Sequence, residues 1–240
     1  MEKQLDQLTE LAWKKFLSVK DNERCLIGIG GPPGSGKTSL SLRLTAALNN
    51  LHRTQHPEAT HDVAVFVPMD GYHYSRAELD TFPDPAEAHR RRGSEFTFNG
   101  AAFVELVKAV HEPVSPDQKT IFAPSFDHAL KDPVEGSIRI EPWHRVVVFE
   151  GNYVLLNQTP WTTASSLLDL KVFINTSSTD ILRKRLAARH VDAGLVPDLK
   201  AGEDRADFND IPNGLQIQSS LVPDVALTIL SEEDEGWAAS

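Results

Sequence analysis

A chain of 240 residues with 40% apolar residues, a formal charge of −10 and one cysteine has the make-up of one globular α/β domain. The acidic balance excludes a general nucleic-acid binder, which needs a basic face, and no apolar run approaches the roughly 18 residues of a membrane-spanning helix. Cys25 alone can form neither an intramolecular disulfide nor a thiolate zinc cluster, and the charged start Met1-Glu2-Lys3-Gln4 lacks a secretory core, so a cytoplasmic protein is expected.

In chain order, residues 2–20 read as a leading amphipathic helix with Leu5, Leu8, Ala12, Phe16 and Val19 on one face. Asp21-Asn22-Glu23 breaks it. Cys25-Leu26-Ile27-Gly28-Ile29-Gly30 then suits a strand buried on both faces. Gly31-Pro32-Pro33-Gly34-Ser35-Gly36-Lys37-Thr38 fills every fixed position of the phosphate-loop template G-x-x-x-x-G-K-[ST]. Small residues let backbone N–H groups turn onto a phosphate chain, and a helix N-terminus follows. Lys37 is expected on the β/γ-phosphates, the Thr38 hydroxyl on Mg²⁺, and Ser39 completes the nucleotide-binding set. Leu40, Leu42, Leu44, Ala47 and Leu48 give the helix an apolar side, and the polar stretch 53–61 reads as a surface connection.

Val63 to Pro68 predicts a second strand that delivers Asp70 to the carboxyl edge of the sheet, where open α/β sheets bind ligands; a turn-forming Asp before Gly71 is the alternative. Residues 75–99 are rich in Pro, Asp and Arg, and the basic cluster His89 to Arg92 reads either as a solvated face or as an anion contact. Residues 101–110 resume helical spacing. Lys119 to Pro124 and Gly136 to Ile140 suggest two short strands, with Ser125-Phe126-Asp127-His128 as a loop between them.

Val146-Val147-Val148-Phe149 is a buried strand ending in Glu150, a carboxylate placed to hold Mg²⁺ through water. Leu170 to Ile174 adds a parallel strand, 178–191 a basic helix with Arg185 and Arg189, and Val225 to Leu230 the last strand. Asn209, Asp210 and Asn213 fall in a polar helix or turn, and Glu232 to Glu235 forms an acidic tail.

Several separated stretches resemble the uridine kinase-like phosphotransferases, a family that includes phosphoribulokinases, pantothenate kinases and glycerate kinases. They are Gly31 to Thr38, Met69-Asp70-Gly71-Tyr72-His73, Arg91-Arg92-Gly93, Pro124 to His128, Glu150 to Leu156, Pro160-Trp161, Arg185 to His190 and Asn209 to Asn213. The chain looks most like the proteins named as fructose-transport-system kinases and their fungal relatives. The resemblance implies one three-layer α/β phosphate-loop domain over 1–240. Its expected parts are a mainly parallel five-stranded sheet, a leading helix 1–20, acceptor-binding insertions with a β-hairpin over 71–140, and a helical lid over 178–205. It implies Asp70 as the catalytic carboxylate, Glu150 as the second acid near Mg²⁺, Arg185 and Arg189 as lid arginines, and His73, Arg92, Asp127, His128, Asn152 and Tyr153 as acceptor contacts. ATP and Mg²⁺ are the implied cofactors, a small hydroxyl compound the partner, and monomer or homodimer the expected state. One departure stands out: where bacterial relatives read Gly-x-Pro-Glu-Thr-Phe-Asp, this chain has Gly93-Ser94-Glu95-Phe96-Thr97-Phe98-Asn99, so two carboxylate positions hold Phe96 and Asn99.

The expected activity is ATP-dependent phosphorylation of a small metabolite. The competing reading is an ATPase or nucleotide switch without an acceptor, although no Asn-Lys-x-Asp stretch is present to read guanine.

Overall fold

The computed structural model describes residues 2–115 and 117–232. Its strands are β1 (Cys25–Gly30), β2 (Ala64–Pro68), β3 (Ile121–Asp127), β4 (Asp132–Ile140), β5 (Val146–Gly151), β6 (Leu170–Asn175) and β7 (Leu227–Leu230). β1 and β5 are buried at every position, as strands covered on both faces must be. They anchor a five-stranded sheet of order β2-β5-β1-β6-β7 in which every pairing is parallel. β3 and β4 stand apart as an antiparallel hairpin.

The helices are α1 (Glu2–Phe16), α2 (Lys37–Gln55), α3 (Arg76–Leu79), α4 (Pro85–Arg90), α5 (Gly100–His111), α6 (Trp161–Ser165), α7 (Thr179–Asp192), α8 (Leu199–Arg205) and α9 (Ile211–Ser219), with a π turn over Ala206–Asp210. Alternation along the strands divides the core in two. Ile27, Ile29, Val146 and Val148 pack with Leu5, Leu8, Trp13, Leu40 and Leu44 of α1 and α2. Leu26, Val147 and Phe149 face the other way, onto Phe103 of α5, Trp161 of α6 and Tyr153. The result is three layers, helix on sheet on helix.

Several readings need correcting. The leading helix stops at Phe16 and does not run to residue 20. Leu42 is exposed, because the face of α2 that meets the sheet runs through Leu40, Leu44 and Leu48. Residues 53–55 continue α2 instead of forming a connection. Ser125, Phe126 and Asp127 belong to β3, whose pairing with β4 extends to Asp127↔Asp132, so the loop is shorter than expected. Val225 and Ala226 precede β7. The acidic tail beyond Glu232 lies outside the described residues.

Candidate active site

Register brings the site together. Glu150 on β5 pairs with Ile29 of β1 on one side and Pro68 of β2 on the other. The chain leaves β1 at Gly30 straight into the phosphate loop, and a 3₁₀ turn over Met69–Tyr72 lifts Asp70 just past Pro68. Three strand ends therefore share one rim.

The loop itself is shaped for an anion. Gly34 and Gly36 take φ of 78° and 88°, a left-handed conformation that favours glycine. A Cβ at Gly31 would sit 2.2 Å from the Ile174 carbonyl oxygen. Helix α2 starts behind Gly36 with no side-chain cap, so its first N–H groups remain free for a phosphate. The buried Ser35 hydroxyl also has no partner among the described residues.

Lys37 Nζ donates to the Pro32 carbonyl at 3.0 Å and to Asn152 Oδ1 at 2.9 Å. Thr38 Oγ1 donates to Glu150 Oε2 at 3.1 Å. Burial pushes the Lys37 ammonium down to about 8 and the Glu150 carboxyl up to about 7. Two further charges bear on both groups: Asp70 raises each pKa and Arg189 lowers each. Lys37, Thr38, Asp70, Glu150 and Arg189 thus meet at one place, with two acids and two bases in mutual range.

Beyond Asp70 the surface turns aromatic. His73 Nδ1 lies 2.9 Å from the Asp70 carbonyl oxygen, and its ring stands 3.9 Å from Phe98 and 4.9 Å from Phe126, centroid to centroid. His128 packs 5.2 Å from Phe126. Burial lowers the His73 pKa, with nearby Arg92 and His128 adding to the effect.

Several sequence assignments separate here. Tyr153 is fully buried among Phe98 and Trp161, and its hydroxyl donates to the Gly93 carbonyl at 2.9 Å, so it packs the core and does not line the acceptor surface. Arg92 is held by Asp132 at 3.0 Å and by the Tyr74 carbonyl at 2.8 Å. Asp127 caps the hairpin turn, accepting from the N–H groups of Ala129 and Leu130. Asn152 is spent on Lys37. Arg185 and Arg189 part company: Arg185 donates to the Gly34 carbonyl, the Ser231 hydroxyl and the Glu232 carbonyl. Asn99, where bacterial relatives have a carboxylate, caps α5 by accepting from the Ala102 N–H.

Sequence reasoning gave Asn209 and Asn213 no role, yet both reach the 91–94 loop. Asn209 Oδ1 accepts from Arg91 Nε at 3.0 Å, and Ser94 Oγ donates to both asparagines. Two amides four residues apart on a helical stretch share a face, which is the signal that was available.

Residues 26–192 match the model of the phosphoribulokinase/uridine kinase family. The chain belongs to that family. A Schizosaccharomyces pombe protein named "Putative uridine kinase C227.14" is 38% identical over 210 residues, covering 87% of this chain and 85% of that one. Among solved structures, a "putative fructose transport system kinase" from Silicibacter sp. TM1040 superposes with a TM-score of 0.78 at 29% identity, covering 94% of this chain and 98% of that one. YFH7 from Saccharomyces cerevisiae gives a TM-score of 0.83 at 24% identity over 97% and 99% of the two chains, a likeness of fold. Membership of a kinase family makes the chain an ATP-dependent kinase.

Proposed function

We propose that this kinase moves the γ-phosphoryl group of ATP to a hydroxyl of a small metabolite, of sugar or nucleoside size, with Asp70 as the base. The observation that carries the reading is the position of Asp70. It stands between a phosphate cradle and the half-buried rings of His73 and Phe126, which are backed by the buried Phe98, and within electrostatic range of Lys37, Glu150 and Arg189. Asp70 takes the proton as the acceptor oxygen bonds to the γ-phosphorus. The bond from that phosphorus to the β–γ bridging oxygen breaks, and ADP leaves. Base catalysis of this kind contributes typically 10²–10⁴ in rate.

Lys37 neutralises the phosphate chain and Arg189 the moving phosphoryl group. Thr38 and Glu150, whose oxygens meet at 3.1 Å beside the loop, form a hard-oxygen set that suits Mg²⁺. When bound, the ion would withdraw charge from the β- and γ-phosphate oxygens. In this reading 1–240 is one kinase domain, 71–140 supplies the acceptor surface, and 178–205 closes as a lid that excludes water. The cytoplasm, as an ATP-rich compartment, is the expected setting, and the buried free thiol of Cys25 is compatible with it.

The test is ADP release measured against a panel of sugars, nucleosides, glycerate and vitamin precursors. One compound should stimulate release and return phosphorylated in equal amount. Asp70→Asn should then lose transfer by about 10²-fold or more while MgATP binding persists. Steady hydrolysis that no compound stimulates would favour an acceptor-free ATPase.

A further inference from the structure

The π turn Ala206–Asp210 follows α8 and runs into α9. Such turns insert one residue into a helix and turn the following side chains in new directions, often beside functional sites. Here the four residues 207–210 point to two different partners. Asp207 and Asp210 face α7: Asp207 Oδ1 accepts from Arg183 Nε at 2.7 Å, and Asp210 reaches the end of the helix. Phe208 and Asn209 face the end of α4 and the 91–94 loop. Arg90 lies 4.3 Å over the Phe208 ring, and Asn209 joins Arg91, Arg92 and Ser94.

Asp210 is the member nearest the chemistry. Its Oδ2 accepts from His190 Nε2 at 2.9 Å, and its Oδ1 stands 3.9 Å from Arg189 Nη2. The side chains of His190 and Asp210 are only 6% and 13% exposed, whereas that of Arg189 is 59% exposed. An exposed arginine carries about 2 kcal/mol of rotamer entropy and has no reason to stay over a phosphate. A carboxylate fixed by a buried imidazole gives it one. The geometry is that of an anchor: one oxygen of Asp210 ties the turn to α7, and the other stands 3.9 Å from the neighbouring guanidinium, an ion-pair distance with no hydrogen bond.

We infer that Asp210 is a positioning residue that aims Arg189 at the transferring phosphoryl group. It does so from a turn whose other face is hydrogen-bonded to the 91–94 loop through Asn209. This rests on the proposed kinase reading. In this inference Asp210 acts on the phosphoryl group through Arg189 alone.

The test needs no acceptor. Binding of MgADP alone, and of MgADP with aluminium fluoride as a mimic of the moving phosphoryl group, is measured by calorimetry for wild type, Asp210→Asn, Arg189→Ala and the double variant. Asp210→Asn keeps the size of the side chain and an oxygen for His190, and its melting temperature reports whether the fold survives. Asp210→Asn should weaken the fluoride complex about tenfold, leave MgADP binding unchanged, and add nothing in the Arg189→Ala background. An unchanged fluoride complex, an equal loss for MgADP alone, or an additive double variant would overturn the inference. A wild-type protein that binds the two ligands equally would defeat the phosphoryl-transfer reading itself, a result distinguishable because it precedes any substitution.

Discussion

Lys37 and Glu150 carry opposite charges into one buried place, and desolvation works against both. Glu150 rises from an ordinary 4.5 to about 7, so between those values the folded protein binds a proton that the unfolded chain does not. Stability from this group is complete below about 4.5 and is lost as pH climbs to about 7. Lys37, lowered from 10.5 to about 8, works at the other end: its contribution is present above 10.5 and lost as pH falls through about 8. Without added nucleotide, the melting temperature of wild type relative to Glu150→Gln should therefore fall steadily between pH 5 and pH 7. A difference that stays flat over that interval would remove Glu150 from the buried pair. Residues of this kind were legible because strand ends and phosphate loops fix residue type by backbone geometry. Tyr153 was not legible, since only tertiary packing decides that its ring turns into the core while Asn152 beside it turns to Lys37.

The 3₁₀ turn Met69–Tyr72 carries Asp70, the base of the proposed mechanism, and it is wedged between two neighbours. A Cβ at Gly71 would lie 2.2 Å from the Pro124 carbonyl oxygen of β3, and one at Gly151 would lie 2.4 Å from Met69 Cβ. Backbone on backbone leaves no flexible side chain to yield at Gly71. Gly71→Ala must push the hairpin away or displace Asp70, and overpacking of this sort costs typically 1–3 kcal/mol. Urea unfolding should show a loss of about that size, with a fall in turnover larger than the fall in MgATP affinity. Turnover equal to wild type would mean that the turn does not need the hairpin. The strands and long helices of this layer were readable from periodicity. The hairpin's reach to Asp127, the capping of its turn by that residue and the π turn at 206–210 were not, because each depends on partners distant in the chain. Arg92 shows the same limit: a basic run reads as an anion contact until Asp132, forty residues on, claims it.

Across the whole molecule the two cores do different jobs. The one built on Phe103, Phe149, Tyr153 and Trp161 backs the rim, with Phe98 linking it to His73. The other, where α1 and α2 cover the opposite face, meets the site at the start of α2 and through the strand residues Ile29 and Ile174, while α1 lies behind them. Trp13 sits in that second core, 7% exposed, beside Phe16 and His52. Removing its indole leaves a cavity far from the phosphates, so stability should suffer and chemistry should not. Trp13→Ala is expected to cost about 3–5 kcal/mol in denaturant unfolding. MgATP affinity and turnover, measured well below the lowered melting temperature, should stay within about twofold of wild type, since sites this far apart with no shared partner add independently. If turnover instead fell with the stability, the leading helix would be part of the machinery, and the sheet would be transmitting strain from one layer to the other.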